Sequence, residues 1–245
     1  MPALDYDSAI SITRDFFWVG FFDEQAQLHC NPYLLVDGEE AVIFDPGSIP
    51  HFPIVMRKVI DVVDPKNISA IVVCHQDPDC CGNLAVVEDV IDRHDLKIVT
   101  NQTCLRLVRH YGLRSELYVA QEHDMKLQLK SGRELKFIEL PFLHSPGAMA
   151  TLDLKSKTLV SGDLFGGISN EWSLFAKEGY LEAMAIFHQT FMPSQAILNR
   201  GMATVSALEI ERILPQHGSV IEGEQVKQAI NHLRNLPCGI DLMGD

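Results

Sequence analysis

The 245-residue chain has no apolar run of the ~20 residues needed to cross a bilayer. Its first ten residues, MPALDYDSAI, hold neither a basic stretch nor an apolar one. No spanning helix or signal peptide is therefore expected, and the default location is the cytoplasm. Positive charge is scarce: 20 Lys and Arg stand against 33 Asp and Glu, for a net charge of −13. That balance excludes a nucleic-acid partner, whose phosphate backbone requires clustered cations, and it excludes docking on an anionic membrane surface. There is no internal repeat, no low-complexity segment and no Gly/Ser/Pro-rich linker, so one domain over residues 1–245 is expected. A Gly-rich dinucleotide fingerprint is also missing. The six cysteines (Cys30, Cys74, Cys80, Cys81, Cys104 and Cys238) are scattered through an acidic chain without a leader, which points to reduced thiols. Cys80 and Cys81 are neighbours and cannot easily meet disulfide geometry.

What is present is an alternation of strand and helix patterns. Residues 31–47, NPYLLVDGEEAVIFDPG, are two apolar runs around Asp37-Gly38, a hairpin signal. Residues 52–63 carry helical spacing and end near Pro65. Residues 67–74, NISAIVVC, are a wholly apolar, β-branched strand of the kind buried on both faces. Helices are predicted over 83–95 and 101–112, the second closed by Gly112, with the short strand KIVT between them. From 117 to 161 short strands follow one another, predicting antiparallel structure. Helices are predicted again over 194–213 and 223–235, with His217 in a Gly-bounded loop between them. Two batches of strands, each followed by helices, fit two mixed sheets packed face to face with helices outside.

Four loops present polar residues where apolar runs stop: His75-Gln-Asp77-Pro-Asp79, PFLHSPG with His144, VSGDLFGG with Asp163, and PQHG with His217. Each lies beside Gly or Pro, where the backbone turns sharply. Singly, such a histidine is usually a satisfied polar residue, and Asp-Pro-Asp is usually a turn. Together, directly after strand ends, they supply three imidazoles and three carboxylates to loops that commonly build sites.

The ordered set HQDPD, HSPG, SGDLFGG and PQHG resembles the metallo-β-lactamase superfamily, whose metal motif is His-x-His-x-Asp-His, then His, Asp and His. NPYLLVDGEEAVIFDPG resembles its N-terminal hairpin and Asp turn. The resemblance covers nearly the whole chain and implies an α/β fold, a four-layer αββα sandwich with a dinuclear site at the sheet edges. Asp77 stands where the second His belongs. The flavodiiron branch carries a carboxylate there, usually Glu, and TLVSGDLFGG and PQHG also look like that branch. Carried over, the resemblance implies His75, Asp77 and His144 on one iron, Asp79 and His217 on the other, and Asp163 bridging. Two positions depart from the pattern: Asp77 is one methylene shorter than Glu, and Cys80 occupies the place of the terminal His. Flavodiiron proteins also continue into a flavodoxin-like domain, for which this chain has no room. The match is therefore to stand-alone oxygen-binding diiron proteins, a type linked to oxygen sensing and chemotaxis.

The donor set agrees with two iron ions, since carboxylate in place of imidazole hardens a site toward iron or manganese. Zinc remains an alternative; it has no redox chemistry of its own. The expected function is a non-haem diiron protein that binds dioxygen or another small diatomic ligand as a diferric-peroxo type adduct. It would be an oxygen sensor or carrier in signalling, or an O2/NO reductase fed by an external electron donor. The alternative is a dinuclear zinc- or manganese-dependent hydrolase of thioesters or phosphodiesters. Whether the protein is an enzyme stays open. A signalling or electron-transfer protein partner and a homodimer are further expectations. Asp45, Cys80 and His29 are candidates to support the ligands from behind.

Overall fold

The computed structural model describes residues 4–243. Seven strands form one sheet in the spatial order Ile10–Ser11, Phe16–Trp18, Tyr33–Asp37, Glu40–Phe44, Ile68–Val72, Lys97–Thr100 and Glu116–Val119. Six form the other: Lys126–Gln128, Glu134–Glu139, Met149–Asp153, Thr158–Gly162, Arg212–Pro215 and Ile221–Glu222. A small hairpin, Phe21–Asp23 with Leu28–Cys30, stands apart.

Alternation along the strands fixes the layers. Val42 and Phe44, with Phe137, Val160 and Leu214 of the other sheet, fill the space between the two sheets. Ala41 and Ile43 point the other way, against Val55 and Val59 of helix Phe52–Val62 and Leu84 and Val87 of helix Leu84–Ile91. On the far face of the second sheet, Ile138, Leu159 and Ile213 pack on Met184, Met202 and Ile230 of helices Tyr180–Phe191, Gln195–Ser206 and Glu224–Arg234. Three apolar layers between four structural layers make the αββα sandwich that the sequence predicted. Strands buried on both faces have no place for a polar residue every second position, which is why they read as continuous Val and Ile.

The hairpin at Asp37-Gly38 forms, with Gly38 at φ 68° in its turn. The helix closed by Gly112 also forms, as Gln102–Val108 followed by a 3-10 turn, with Gly112 at φ 74°. Three expectations differ. The predicted helix 194–213 stops at Ser206, and Arg212–Pro215 is a strand parallel to Thr158–Gly162. Its Ile213 and Leu214 fill opposite core layers. Helix 83–95 stops at Ile91, where Asp92 turns left-handed at φ 45°. Glu116–Val119, expected in antiparallel structure, pairs parallel to Lys97–Thr100 at the edge of the first sheet.

Among the described residues no helix is long and apolar enough to cross a membrane. All six cysteines are buried and free.

The parallel strands Glu40–Phe44, Ile68–Val72, Thr158–Gly162 and Arg212–Pro215 send their C-terminal ends to one edge of the sandwich. The loop before Met149 reaches the same edge, because Met149–Asp153 runs antiparallel to Thr158–Gly162. The chemistry-bearing loops therefore converge there by topology.

Candidate metal centre

His75 follows the central strand. The backbone is locked at the residue before it, where Cys74 N donates to Asp45 Oδ1 at 2.8 Å. Pro78 then opens the one-turn helix Pro78–Cys81, with Asp77 at its N-cap and Asp79 inside its first turn. His144 lies in a loop held from both sides: Ser145 Oγ donates to Gln76 Oε1 at 2.6 Å, and Met149 N donates to Cys74 O at 2.9 Å. The Leu143–His144 peptide bond is cis. Asp163 follows Gly162, whose φ of 58° and close approach to Cys74 (3.0 Å from a notional Cβ to the Cys74 Cβ) would make a side chain there both strained and tight. The loop beyond Asp163 is clamped at Phe165. Its N–H donates to Nε2 of the buried His188 at 3.1 Å, and its carbonyl accepts from the Tyr180 hydroxyl at 2.9 Å. His217 is fixed through its far nitrogen, Nδ1, which donates to the His29 carbonyl at 2.9 Å. That bond presents Nε2 to the cluster as a lone pair when the ring is neutral.

All six residues singled out in the sequence meet at this edge. Asp163 Oδ2 lies 2.9 Å from His144 Nε2 and 3.5 Å from His75 Nε2. Asp163 Oδ1 instead faces His217 Nε2 at 3.5 Å. Asp77 Oδ2 is 3.3 Å from His144 Nε2 and 3.7 Å from His75 Nε2, so the shorter side chain does reach that group. Asp79 Oδ2 is 3.3 Å from His217 Nε2. The ligand atoms of His75, Asp77 and His144 all lie within 4.8 Å of one another. His75, Asp163 and His217 are buried, whereas the side chains of Asp77 and Asp79 are 32% and 43% exposed. The cluster thus opens to solvent on its carboxylate side. Phe187 and Phe191 line it elsewhere, with ring centroids 5.5 Å from His217 and 6.2 Å from His144.

The three supporting candidates have distinct places. Asp45 holds the Cys74 N–H, and its Oδ2 is buried without a partner; burial pushes its carboxyl up to about 6. Cys80 Sγ sits 3.6 Å from His75 Nε2. His29 contributes its carbonyl to His217, while its ring stacks on Trp172 at 3.9 Å. Burial holds that ring down to about 4. The sequence reading missed His188, and it counted Cys30 only as a thiol. No local motif marks either residue, because their partners are distant in the chain.

The electrostatics describe a cluster short of positive charge. Burial opposes a proton on His75, yet the Asp163 carboxylate beside it pushes its pKa up to about 9. Hydrogen bonds that His144 donates to the Asp163 and Asp77 carboxylates push it up to about 10. His217 is held well above the ordinary histidine value because Asp163 and Asp79 outweigh burial. Asp163 is correspondingly held well below the carboxylate range, against burial, by the charges of His75 and His217. Protons on the imidazoles are what balances the carboxylates here. Even so, Asp163 Oδ1 remains buried with no hydrogen-bond partner. A metal ion on each side of Asp163 would satisfy that oxygen and replace the protons. The residues therefore fit a dinuclear centre with nitrogen and oxygen donors.

Fold and site together define a metallo-β-lactamase-like domain of the flavodiiron-like branch. Residues 28–218 match the profile described as ODP family beta lactamase, and the chain belongs to that family. The chain is 28% identical over 236 residues to an uncharacterized protein of Methanocaldococcus jannaschii, covering 90% of this chain and 58% of that protein. It is 25% identical over 201 residues to the flavo-diiron protein FprA2 of Clostridium acetobutylicum, covering 79% of this chain and 50% of the other. The chain thus spans about half the length of these longer relatives. Among solved structures, the peroxy diiron species of the chemotaxis sensor ODP superposes with a TM-score of 0.79 at 27% identity, covering 95% of this chain and 97% of that one.

Proposed function

We propose that this chain binds two iron ions and uses them to bind dioxygen, as an oxygen sensor or carrier in a signalling system. The observation that carries the reading is the division of Asp163. One of its oxygens faces His75 and His144, and the other faces His217. In this reading His75, Asp77 and His144 would hold one ion and Asp79 and His217 the other, with Asp163 within reach of both. Iron is supported by the carboxylate-rich donor set and by the diiron relatives; zinc and manganese are the competing metals. Bound iron would supply electrons to dioxygen, which no side chain here can do.

The protein's own residues do the rest. The His29 carbonyl keeps the His217 proton on Nδ1, away from the ion. His188 and Tyr180 hold the Phe165 peptide and with it the loop that carries Asp163. The half-exposed Asp77 and Asp79 leave an opening for a small diatomic molecule, and the buried Phe187 ring covers His217 on the other side. A signalling protein that reads the liganded state, or an electron donor if the protein turns over, is the partner this reading requires.

The test is to load the protein anaerobically with ferrous iron and record the visible spectrum before and after admitting air. About two irons per chain and a visible band that grows and persists support the reading. A colourless protein indifferent to air contradicts it and directs the work to hydrolase substrates.

A further inference from the structure

Two sulfur atoms border the cluster, and the reading above uses neither. Cys80 follows Asp79 in the chain; its Sγ lies 3.6 Å from His75 Nε2 and 3.8 Å from Asp79 Oδ1, and it groups with His75 and Asp163 rather than with His217. Cys30 comes from the small hairpin, and its ligand atom lies within 4.8 Å of those of Asp79 and His217, which in turn lie within that distance of each other. Asp163 Oδ1, buried and unpartnered, faces the same side. The two halves of the centre are otherwise unequal. The half at His75 has two imidazoles, Asp77 and one oxygen of Asp163. The half at His217 has one imidazole, Asp79 and the other oxygen of Asp163.

The position of Cys30 is fixed by its neighbours in the chain. The His29 carbonyl accepts from His217 Nδ1 at 2.9 Å, and Asn31 N donates to the Gln216 carbonyl at 2.8 Å. The segment 29–31 is thus fastened along 216–217 on either side of Cys30. Cys30 itself is 2% exposed.

Resting on the two-ion reading, the geometry points to Cys30 as a sulfur ligand of the ion at Asp79 and His217, since Cys30 and not Cys80 groups with His217. The bond forms from the thiolate, the thiol proton passing to solvent as the ion enters. Each half then has four protein donors. Three carboxylates and one thiolate neutralise two divalent ions, so the loaded cluster buries no net charge. The halves also differ in kind: one is all nitrogen and oxygen, the other carries a soft sulfur and favours zinc or ferrous iron over harder ions.

Zinc loading of the full chain, followed by X-ray absorption at the zinc edge, tests this. Wild type is expected to show a sulfur at about 2.3 Å beside nitrogen and oxygen at about 2.0–2.1 Å. Cys30→Ser should lose the sulfur and weaken the second zinc by about tenfold or more while keeping the first. Cys80→Ser should keep both the sulfur and the stoichiometry. Cys30→His, which restores a donor without sulfur, should keep two zincs and show no sulfur. Two zincs in wild type with only nitrogen and oxygen neighbours overturn the role of Cys30 and leave the two-ion reading standing. So does a sulfur signal that survives in Cys30→Ser but disappears in Cys80→Ser. Failure of wild type to take up a second ion from either zinc or anaerobic ferrous iron overturns both.

Discussion

At the edge of the sandwich opposite the metal centre, Arg133 meets Asp153 through two hydrogen bonds of 2.8 and 2.6 Å, Asp15 at 2.7 Å and Asp37 at 3.3 Å. The hairpin register puts Asp37 at the far end from Asp45, and the pairing of Met149–Asp153 with Thr158–Gly162 puts Asp153 at the far end from Asp163. Both edges gather three carboxylates: Asp15, Asp37 and Asp153 at one, Asp77, Asp79 and Asp163 at the other. At the Arg133 edge the cation is built in, and the guanidinium fork matches its partners. Against burial, Arg133 and its hydroxyl neighbours hold Asp37 and Asp153 below the usual carboxylate range. At the other edge, among the described residues, only histidines pair with Asp77, Asp79 and Asp163, and their protons provide the positive charge. A cluster that supplies its own cation is structural. One that leaves the place to histidine protons, with a buried oxygen unpartnered, is arranged for an ion from outside.

Removing the cation from the first cluster should have the largest effect. Arg133→Met leaves buried carboxylates uncompensated and should destabilise the fold by about 3–5 kcal/mol, measured by urea unfolding, while folded protein still takes up metal. If the loss is small, the two clusters are less different than their geometry indicates. Asp163→Asn should act on the other edge alone. It removes the shared carboxylate and should weaken metal binding by about 100-fold or more, read as metal content after dialysis at limiting metal, with the far-ultraviolet circular dichroism unchanged.

The two edges should also separate by pH. In the metal-free protein the folded pKa values of His75 and His144 lie at about 9 and about 10, above the unfolded value of about 6.5. The unfolded chain sheds these protons first, so their stabilising contribution is full below about pH 6.5 and declines as pH rises toward the folded values. Metal-free protein should therefore melt at a lower temperature at pH 8 than at pH 6.5. The lowered carboxylates at the Arg133 edge lose their contribution only in acid and add no slope in that window. A melting temperature that rises over the window contradicts the account. Bound metal should flatten the slope, because the ligands are already deprotonated. The smallest effect belongs to Lys155, half in solvent, with Nζ 3.5 Å from Asp15 and 3.4 Å from Asp37. Lys155→Met should change stability by no more than about 1 kcal/mol, which would mark Arg133 as the cation that matters at that edge.

The sequence disclosed the metal edge far better than the Arg133 edge. His75, Asp77 and Asp79 alternate within five residues after an unmistakable buried strand, and His144, Asp163 and His217 each sit in a short Gly- or Pro-marked loop. The Arg133 cluster joins residues up to 118 apart with no local motif. Helix Tyr180–Phe191 was missed for a physical reason. Its N-cap is Gly179 in a left-handed conformation, with no side-chain cap, so the usual Ser/Thr/Asp start signal is absent. The start of the next helix was legible because Ser194 caps it, accepting from Ile197 N. Its end was not, because Leu208, Ile210 and Ile213 continue an apolar helical spacing past Ser206 without a Gly or Pro. Cys30 was invisible as a candidate ligand because only the tertiary pairing of 29–31 with 216–217 brings it to the centre.

The central claim is that Asp163 is shared between two ions. Anomalous X-ray diffraction at the iron edge, from crystals of iron-loaded protein grown without oxygen, tests it most directly. The account predicts two iron peaks on either side of the Asp163 carboxylate, one against His75, Asp77 and His144 and the other against Asp79 and His217. A single peak, or iron bound away from Asp163, would contradict it.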